Sequence, residues 1–160
     1  MRAVRVWVTA VLRQRWRATL VLSLLIGIAG AAAAGRVTDM NGPLTALAGG
    51  LILVAAALAG LAVATGRVAS AALVALYGLG TWAITPPQQH RLLAAGGDTG
   101  FLLSLNAASL YGGVALGSGL GGAILALSGS AVAVCGAAAG LELVALMLVV
   151  VSARTERMTR

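Results

Sequence analysis

The run Leu105-Asn106-Ala107-Ala108-Ser109-Leu110-Tyr111-Gly112-Gly113-Val114-Ala115-Leu116-Gly117-Ser118-Gly119-Leu120-Gly121-Gly122 decides the fold class of this chain. It lies within a longer stretch, Thr99 to Leu141, that contains no charged residue; Asp98 and Glu142 are the first charges on either side. A helix needs about 20 apolar residues to cross the hydrocarbon core of a bilayer, so this stretch is long enough for two crossings. With lipid as the solvent, backbone polar groups must be satisfied within the segment. The reading is therefore an all-α, polytopic membrane helix bundle.

Composition agrees. Of the 160 residues, 60% are apolar and 9% are charged, against about 25% charged in a soluble domain. Too little polar surface remains to face water on all sides. All eleven basic residues are Arg. They stand at segment ends, where they anchor helices and set topology, so the net charge of +7 does not point to nucleic acid. Cys135 lies alone in an apolar run, which gives no disulfide or thiolate metal site. His90 has no partner set for a metal.

Working outward, five crossings are predicted. Residues 18–35 form an uncharged run of marginal length. Residues 44–66 are a clear span closed by Gly66-Arg67. Residues 68–85 are another, ended by Pro86-Pro87, which cannot continue helical hydrogen bonding. Residues 101–127 follow, and Ser128-Gly129-Ser130 turns the chain into a return over 131–153. Residues 154–160 form a basic cytoplasmic tail. Gly113, Gly117 and Gly121 recur at spacings of four on one helix face, where the missing side chains let another helix approach closely; the alternative is the general abundance of Gly in this chain.

Residues 1–17 differ. Val4, Trp7, Val8, Val11 and Leu12 follow helical spacing, while Arg2, Arg5, Thr9 and Arg13 fall elsewhere on the wheel. This pattern predicts a basic amphipathic helix lying in the headgroup region, with Trp7 and Trp16 as interfacial anchors. A second reading is a secretory signal, with Leu20–Ile28 as its apolar core and Ala31–Ala34 as the cleavage region.

Three segments resemble one family. Gly35-Arg36-Val37-Thr38-Asp39-Met40-Asn41-Gly42-Pro43 resembles the short loop motif G-R-x-x-D-R-x-G of major facilitator superfamily transporters, with Met40 where a basic residue is usual. The stretch from Trp82 to Leu92, with Pro86-Pro87 at its centre, resembles the end of the tenth helix and the following loop in the drug and sugar efflux branch. The Asn106–Gly122 run is similar to that branch's eleventh helix. Order and spacing agree, and the resemblance covers roughly residues 30–153, or helices eight to twelve of a twelve-helix fold. Such a transporter has two six-helix halves with its site between them; the first half and the seventh helix are not in this chain. Residues 1–18 resemble instead the start of ABC-type export permeases.

The resemblance implies that the Arg36–Asp39 loop, the His90–Asp98 loop and the C-terminus are cytoplasmic. With five crossings the N-terminus is then outside. That arrangement puts five arginines inside (Arg36, Arg91, Arg154, Arg157, Arg160) and six outside, short of the inside excess the positive-inside rule expects. A competing arrangement keeps residues 1–17 inside and has four crossings, with every arginine but Arg67 satisfied.

The candidate functional residues are few. Glu142 is the only acid embedded in an apolar run. A charge near the bilayer centre costs about 2.5–3.5 kcal/mol on insertion scales, so an intramembrane acid is a functional candidate, here for proton coupling; the plain alternative is an acid facing a polar gap and coupling nothing. Asn106, Ser109 and Tyr111 either line a substrate path or hydrogen-bond a neighbouring helix. The resemblance implies that Gly35, Arg36, Asp39 and Gly42 form a cytoplasmic gate motif, with Arg36 and Asp39 as a charge-assisted pair; the plain alternative is a solvated turn. No nucleophile–base set, phosphate loop, metal cluster or cofactor motif is visible, so no enzyme is read.

The expected function is that of the C-terminal part of a major facilitator efflux transporter in the cell (inner) membrane. It would export a small molecule by proton antiport with alternating access. Its partners would be the lipid bilayer, the small-molecule substrate, and either the missing transporter half or a second copy. The rivals are a non-transporting truncated module that packs against partner helices and an ABC-type permease subunit.

Overall fold

The computed structural model describes the backbone of residues 2–94 and 96–158 and the side chains of residues 20–94 and 96–155. The described residues form five α-helices: α1 Arg2–Asn41, α2 Pro43–Val63, α3 Arg67–Ala94, α4 Thr99–Ser128 and α5 Ala131–Met158. All five are long and apolar enough to cross a membrane, α1 over Leu20–Asn41 and α5 over Ala131–Thr155. Lipid as solvent accounts for the exposure of Leu22, Leu116, Leu127 and Leu148 on their outer faces.

Short connections build the bundle. Gly42 alone separates α1 from α2. Its φ of 88° lies where only glycine sits without strain, and Pro43 follows at the first helical position, where its missing N–H costs nothing. At the other hairpin Gly129, with φ of 64°, closes α4 by donating its N–H to the carbonyl of Leu125 at 2.8 Å, and Ser130 Oγ accepts from the N–H of Ala133 to start α5. Asp98 caps α4, its Oδ1 accepting from the N–H groups of Gly100 and Phe101 at 2.8 and 3.2 Å.

α2 is the centre. Its stripe of Ala46, Leu47, Gly50, Leu51, Val54 and Ala57 is buried, packed chiefly against α3 and α5 and more lightly against α1. α1 packs along α3 as well. Glycines set the close approaches. A Cβ built at Gly80 falls 2.8 Å from Val54 Cγ2, one at Gly50 falls 2.9 Å from Ile84 Cγ1, and one at Gly30 would collide with the Leu79 carbonyl. The ring of Trp82 lies over Gly27. Gly50 meets Ile84 while Gly60 meets Leu73, so α2 and α3 are antiparallel. α1 then runs parallel to α3, Leu22 beside Ala71 and Gly30 beside Leu79. α3 and α5 end on the same side, where Arg91 Nη2 donates to Ser152 Oγ at 2.9 Å. α4 stands apart. It contains no buried residue and touches only α3 and α5, both lightly.

Three expectations are corrected. First, Gly35 to Asn41 is not a loop: it is the last two turns of α1, which lacks a breaker until Gly42, where the Gly42 N–H still bonds the Thr38 carbonyl at 2.9 Å. Second, α3 does not stop at Pro86-Pro87 but runs on to Ala94. The two prolines remove only the bonds to the carbonyls of Trp82 and Ala83, and packing of the buried Pro87 holds the helix through the gap. Third, the marginal run 18–35 belongs to a longer apolar span, Leu20–Asn41, packed into the bundle beside α3. α1 passes residue 17 without a break. The amphipathic face expected over residues 1–17, the likeness of residues 1–18 to ABC-type permeases and the end of the tail, residues 156–160, concern side chains outside the described ones.

Candidate functional site

Polar side chains at membrane depth come together between α3 and α4. Because α3 continues through its prolines, Ile84, Thr85 and Gln88 share one face at helical spacing. On α4 the triplet Asn106, Ser109 and Leu110 does the same. The two triplets face each other across a cleft of about 220 Å³. Asn106 is half-buried and Ser109 exposed. Ser109 Oγ donates to the Leu105 carbonyl at 2.9 Å, which leaves its oxygen free to accept. Among the described residues the side chains of Thr85, Gln88 and Asn106 form no hydrogen bond. The cleft therefore offers amide donors, amide acceptors and hydroxyls, and no charge.

Asn106 and Ser109 thus share a site, and Thr85 and Gln88, which the sequence reading did not single out, complete it. The signal for them was the spacing of Gln88 from Ile84 and Thr85, legible only if the helix survives Pro86-Pro87. Tyr111 is not part of the cleft. It lies 72% exposed on another face of α4.

Glu142 occupies the middle of its span, eleven residues from Ala131 and thirteen from Thr155. It belongs to the half-buried stripe of α5, with Cys135, Ala138, Leu146, Val149 and Ser152, and α5 packs most extensively on α2. Glu142 Oε2 is buried without a hydrogen-bond partner. On α2, the main packing partner of α5, Thr45 is the only polar side chain, and its Oγ1 donates to the Asn41 carbonyl at 3.0 Å.

The gate motif is arranged differently from expectation. Gly35, Arg36 and Asp39 lie on the final turns of α1 and Gly42 at the joint. Arg36 and Asp39 are both exposed and form no ion pair among the described residues. Among the described residues nothing packs tightly on the face of Gly113, Gly117 and Gly121, the face expected to seat another helix. A Cβ at Gly113 or Gly117 meets nothing within 4 Å, and one at Gly121 meets only Val134 Cγ1 at 3.6 Å, beside the hairpin turn. The tight glycines are instead Gly30, Gly50, Gly60 and Gly80.

Compared with family models, with curated proteins and with solved structures, the chain matches none of them. Its class rests on its own features: a multi-pass helical protein whose five helices suit a membrane.

Proposed function

We propose that this chain is a membrane-embedded transport module of major facilitator efflux type, exporting a small molecule against proton entry across the cell membrane. The observation that carries the reading is the uncharged, hydrogen-bonding cleft of Thr85, Gln88, Asn106 and Ser109 between two helices that otherwise barely touch. Polar groups at this depth are costly unless they serve a path or a partner. The resemblance of the Gly35–Pro43 and Asn106–Gly122 segments supplies the transporter class. Glu142 is the proton ligand in this reading, a mid-span acid with one oxygen unpartnered. Alternating access needs a second moving unit, a further set of transporter helices or a second copy of this chain, docking on the exposed length of α4.

Everted membrane vesicles from cells expressing the chain, loaded with a proton gradient and a pH-sensitive dye, test this. Neutral polar solutes are added one at a time. The reading expects at least one solute to dissipate the gradient, with Glu142→Gln abolishing the proton movement and Asn106→Leu abolishing the solute response. A second reading, a non-transporting module, is favoured by the open glycine face of α4. It expects both variants to leave all fluxes unchanged, while Leu at Gly113, Gly117 and Gly121 abolishes association with partner helices.

A further inference from the structure

A second cavity, about 440 Å³, lies between α1 and α3 on the side of the bundle away from the polar cleft. Leu22 and Ile26 form one wall, and Ala71, Val74, Gly78 and Trp82 form the other. The α3 residues share one helical face, which continues one turn further to Arg67, at the start of the helix. Arg67 is exposed and makes no ion pair or hydrogen bond among the described residues.

The groove has the depth of one leaflet. Trp82 is near the midpoint of α3. Fifteen residues separate it from Arg67, about 22 Å at a rise of 1.5 Å per residue. Half of a bilayer, headgroups included, is about 20–22 Å. Arg67 therefore stands at headgroup level when Trp82 stands at the midplane, and the apolar groove fills the distance between them.

Charge gives the occupant. On the side of the bundle that bears Arg67, the sequence places six arginines (Arg2, Arg5, Arg13, Arg15, Arg17 and Arg67) and no acid. Asp39, Asp98 and Glu156 are all on the opposite side. Arg15 precedes Leu22 by seven residues, two turns back in α1. A guanidinium is a strong phosphate partner, and with no acid on that side of the bundle nothing opposes a net negative headgroup at Arg67. We propose that the α1–α3 groove holds one acyl chain of an anionic phospholipid whose phosphate sits at Arg67. Bulk lipid touches every outer face of the bundle; this lipid is retained because one molecule satisfies the groove and the arginine together.

Trp82 is a built-in reporter. With Trp7→Phe and Trp16→Phe in place it is the single tryptophan, excited selectively over Tyr77 and Tyr111, and lipids brominated near their chain ends quench it on contact. The chain is reconstituted in bilayers containing brominated phosphatidylglycerol or, at equal mole fraction, brominated phosphatidylcholine. The anionic phosphatidylglycerol is expected to quench Trp82 the more strongly. Arg67→Gln should lower that preference about fivefold, the value of one arginine near a membrane surface, and Arg67→Lys should keep most of it. Ala71→Phe, which fills the groove without changing charge, should abolish the preference. Equal quenching by both lipids in the parent protein overturns the proposal, as does an absence of quenching, which would mean that protein covers the groove. A preference that survives Ala71→Phe also overturns it, since surface attraction alone would then explain the selectivity.

Discussion

Replacing Gly80 by alanine tests the packing at the centre of the bundle. A Cβ at Gly80 falls 2.8 Å from Val54 Cγ2, 3.2 Å from the Val54 backbone nitrogen and 3.3 Å from the Gly50 carbonyl oxygen. Ordinary carbon contacts are about 3.5–4.0 Å, so the methyl must gain roughly 1 Å. A rotation of Val54 does not supply it. Val54 is 1% exposed, a β-branched residue in a helix has one strongly preferred rotamer, and the two backbone atoms stay where they are. α2 and α3 must separate, at the usual overpacking cost of about 1–3 kcal/mol. Alanine also favours a helix over glycine by about 0.5–1 kcal/mol, so the net loss expected is about 0–2.5 kcal/mol. Gly113→Ala isolates the clash. There the new Cβ meets nothing within 4 Å, the same propensity gain applies, and the difference between the two variants is the clash alone, about 1–3 kcal/mol. Reversible unfolding in mixed dodecyl sulfate micelles, followed by circular dichroism, measures it. If Gly80→Ala is as stable as Gly113→Ala, the α2–α3 interface described here is wrong.

Three other outcomes are expected. Asp98→Ala removes both cap bonds from the first turn of α4 and should cost about 0.5–2 kcal/mol there, read as faster amide exchange at Gly100 and Phe101, with Asp98→Asn close to the parent. Arg91→Leu removes the donor that ties the end of α3 to Ser152 and should cost about 1 kcal/mol; spin labels at the ends of α3 and α5 would report a broader distance distribution, and an unchanged one would show that the tie does not hold the ends together. Single cysteines at Ala3, Gly66, Gly96 and Arg154, in a Cys135→Ser background, should react with an impermeant maleimide in two sets, Ala3 with Gly66 and Gly96 with Arg154; Ala3 reacting with the second set would show that α1 does not cross.

The five helices were legible in hydropathy because lipid as solvent leaves little else to decide: each span is an apolar run of sufficient length. Their ends were less legible. Pro86-Pro87 reads as a stop because proline removes hydrogen bonds, yet two lost bonds in a 28-residue helix are tolerable where packing encloses Pro87. Gly35 to Asn41 reads as a loop because it resembles a loop motif and leads into the turn-like Asn41-Gly42-Pro43, although nothing before Gly42 breaks the helix. Asn106 and Ser109 were identifiable as polar residues at depth. Their partners Thr85 and Gln88 depended on a helix that the sequence reading had ended too soon. Glycine spacing gives a face without its partner. Spacing of four marks a smooth face, as at Gly113, Gly117 and Gly121, but not which helix occupies it, and within this chain the close approaches fall at Gly30, Gly50 and Gly80.

On the proposed reading, the solute and proton sites do not touch. The cleft lies between α3 and α4, and Glu142 lies on the stripe of α5 whose main partner is α2. α4 and α5 are nevertheless one hairpin, joined at Gly129. Coupling between the sites therefore has to pass through the hairpin as a body or through a partner that touches both helices. The packing distinguishes its two arms. α5 packs extensively on α2 and is tied by Arg91 near its end, whereas α4 has its cap at Asp98, light contact with α3 and light contact with α5. An arm so held costs little to move, and moving it opens or closes the cleft directly, because Asn106 and Ser109 ride on it. Occupation of the Glu142 carboxyl, by contrast, acts on the arm fixed to the core. On that reading α4 is the arm free to move, pivoting at Gly129 against the α2–α3–α5 core, and a second unit would act by seating against α4 in each of its positions.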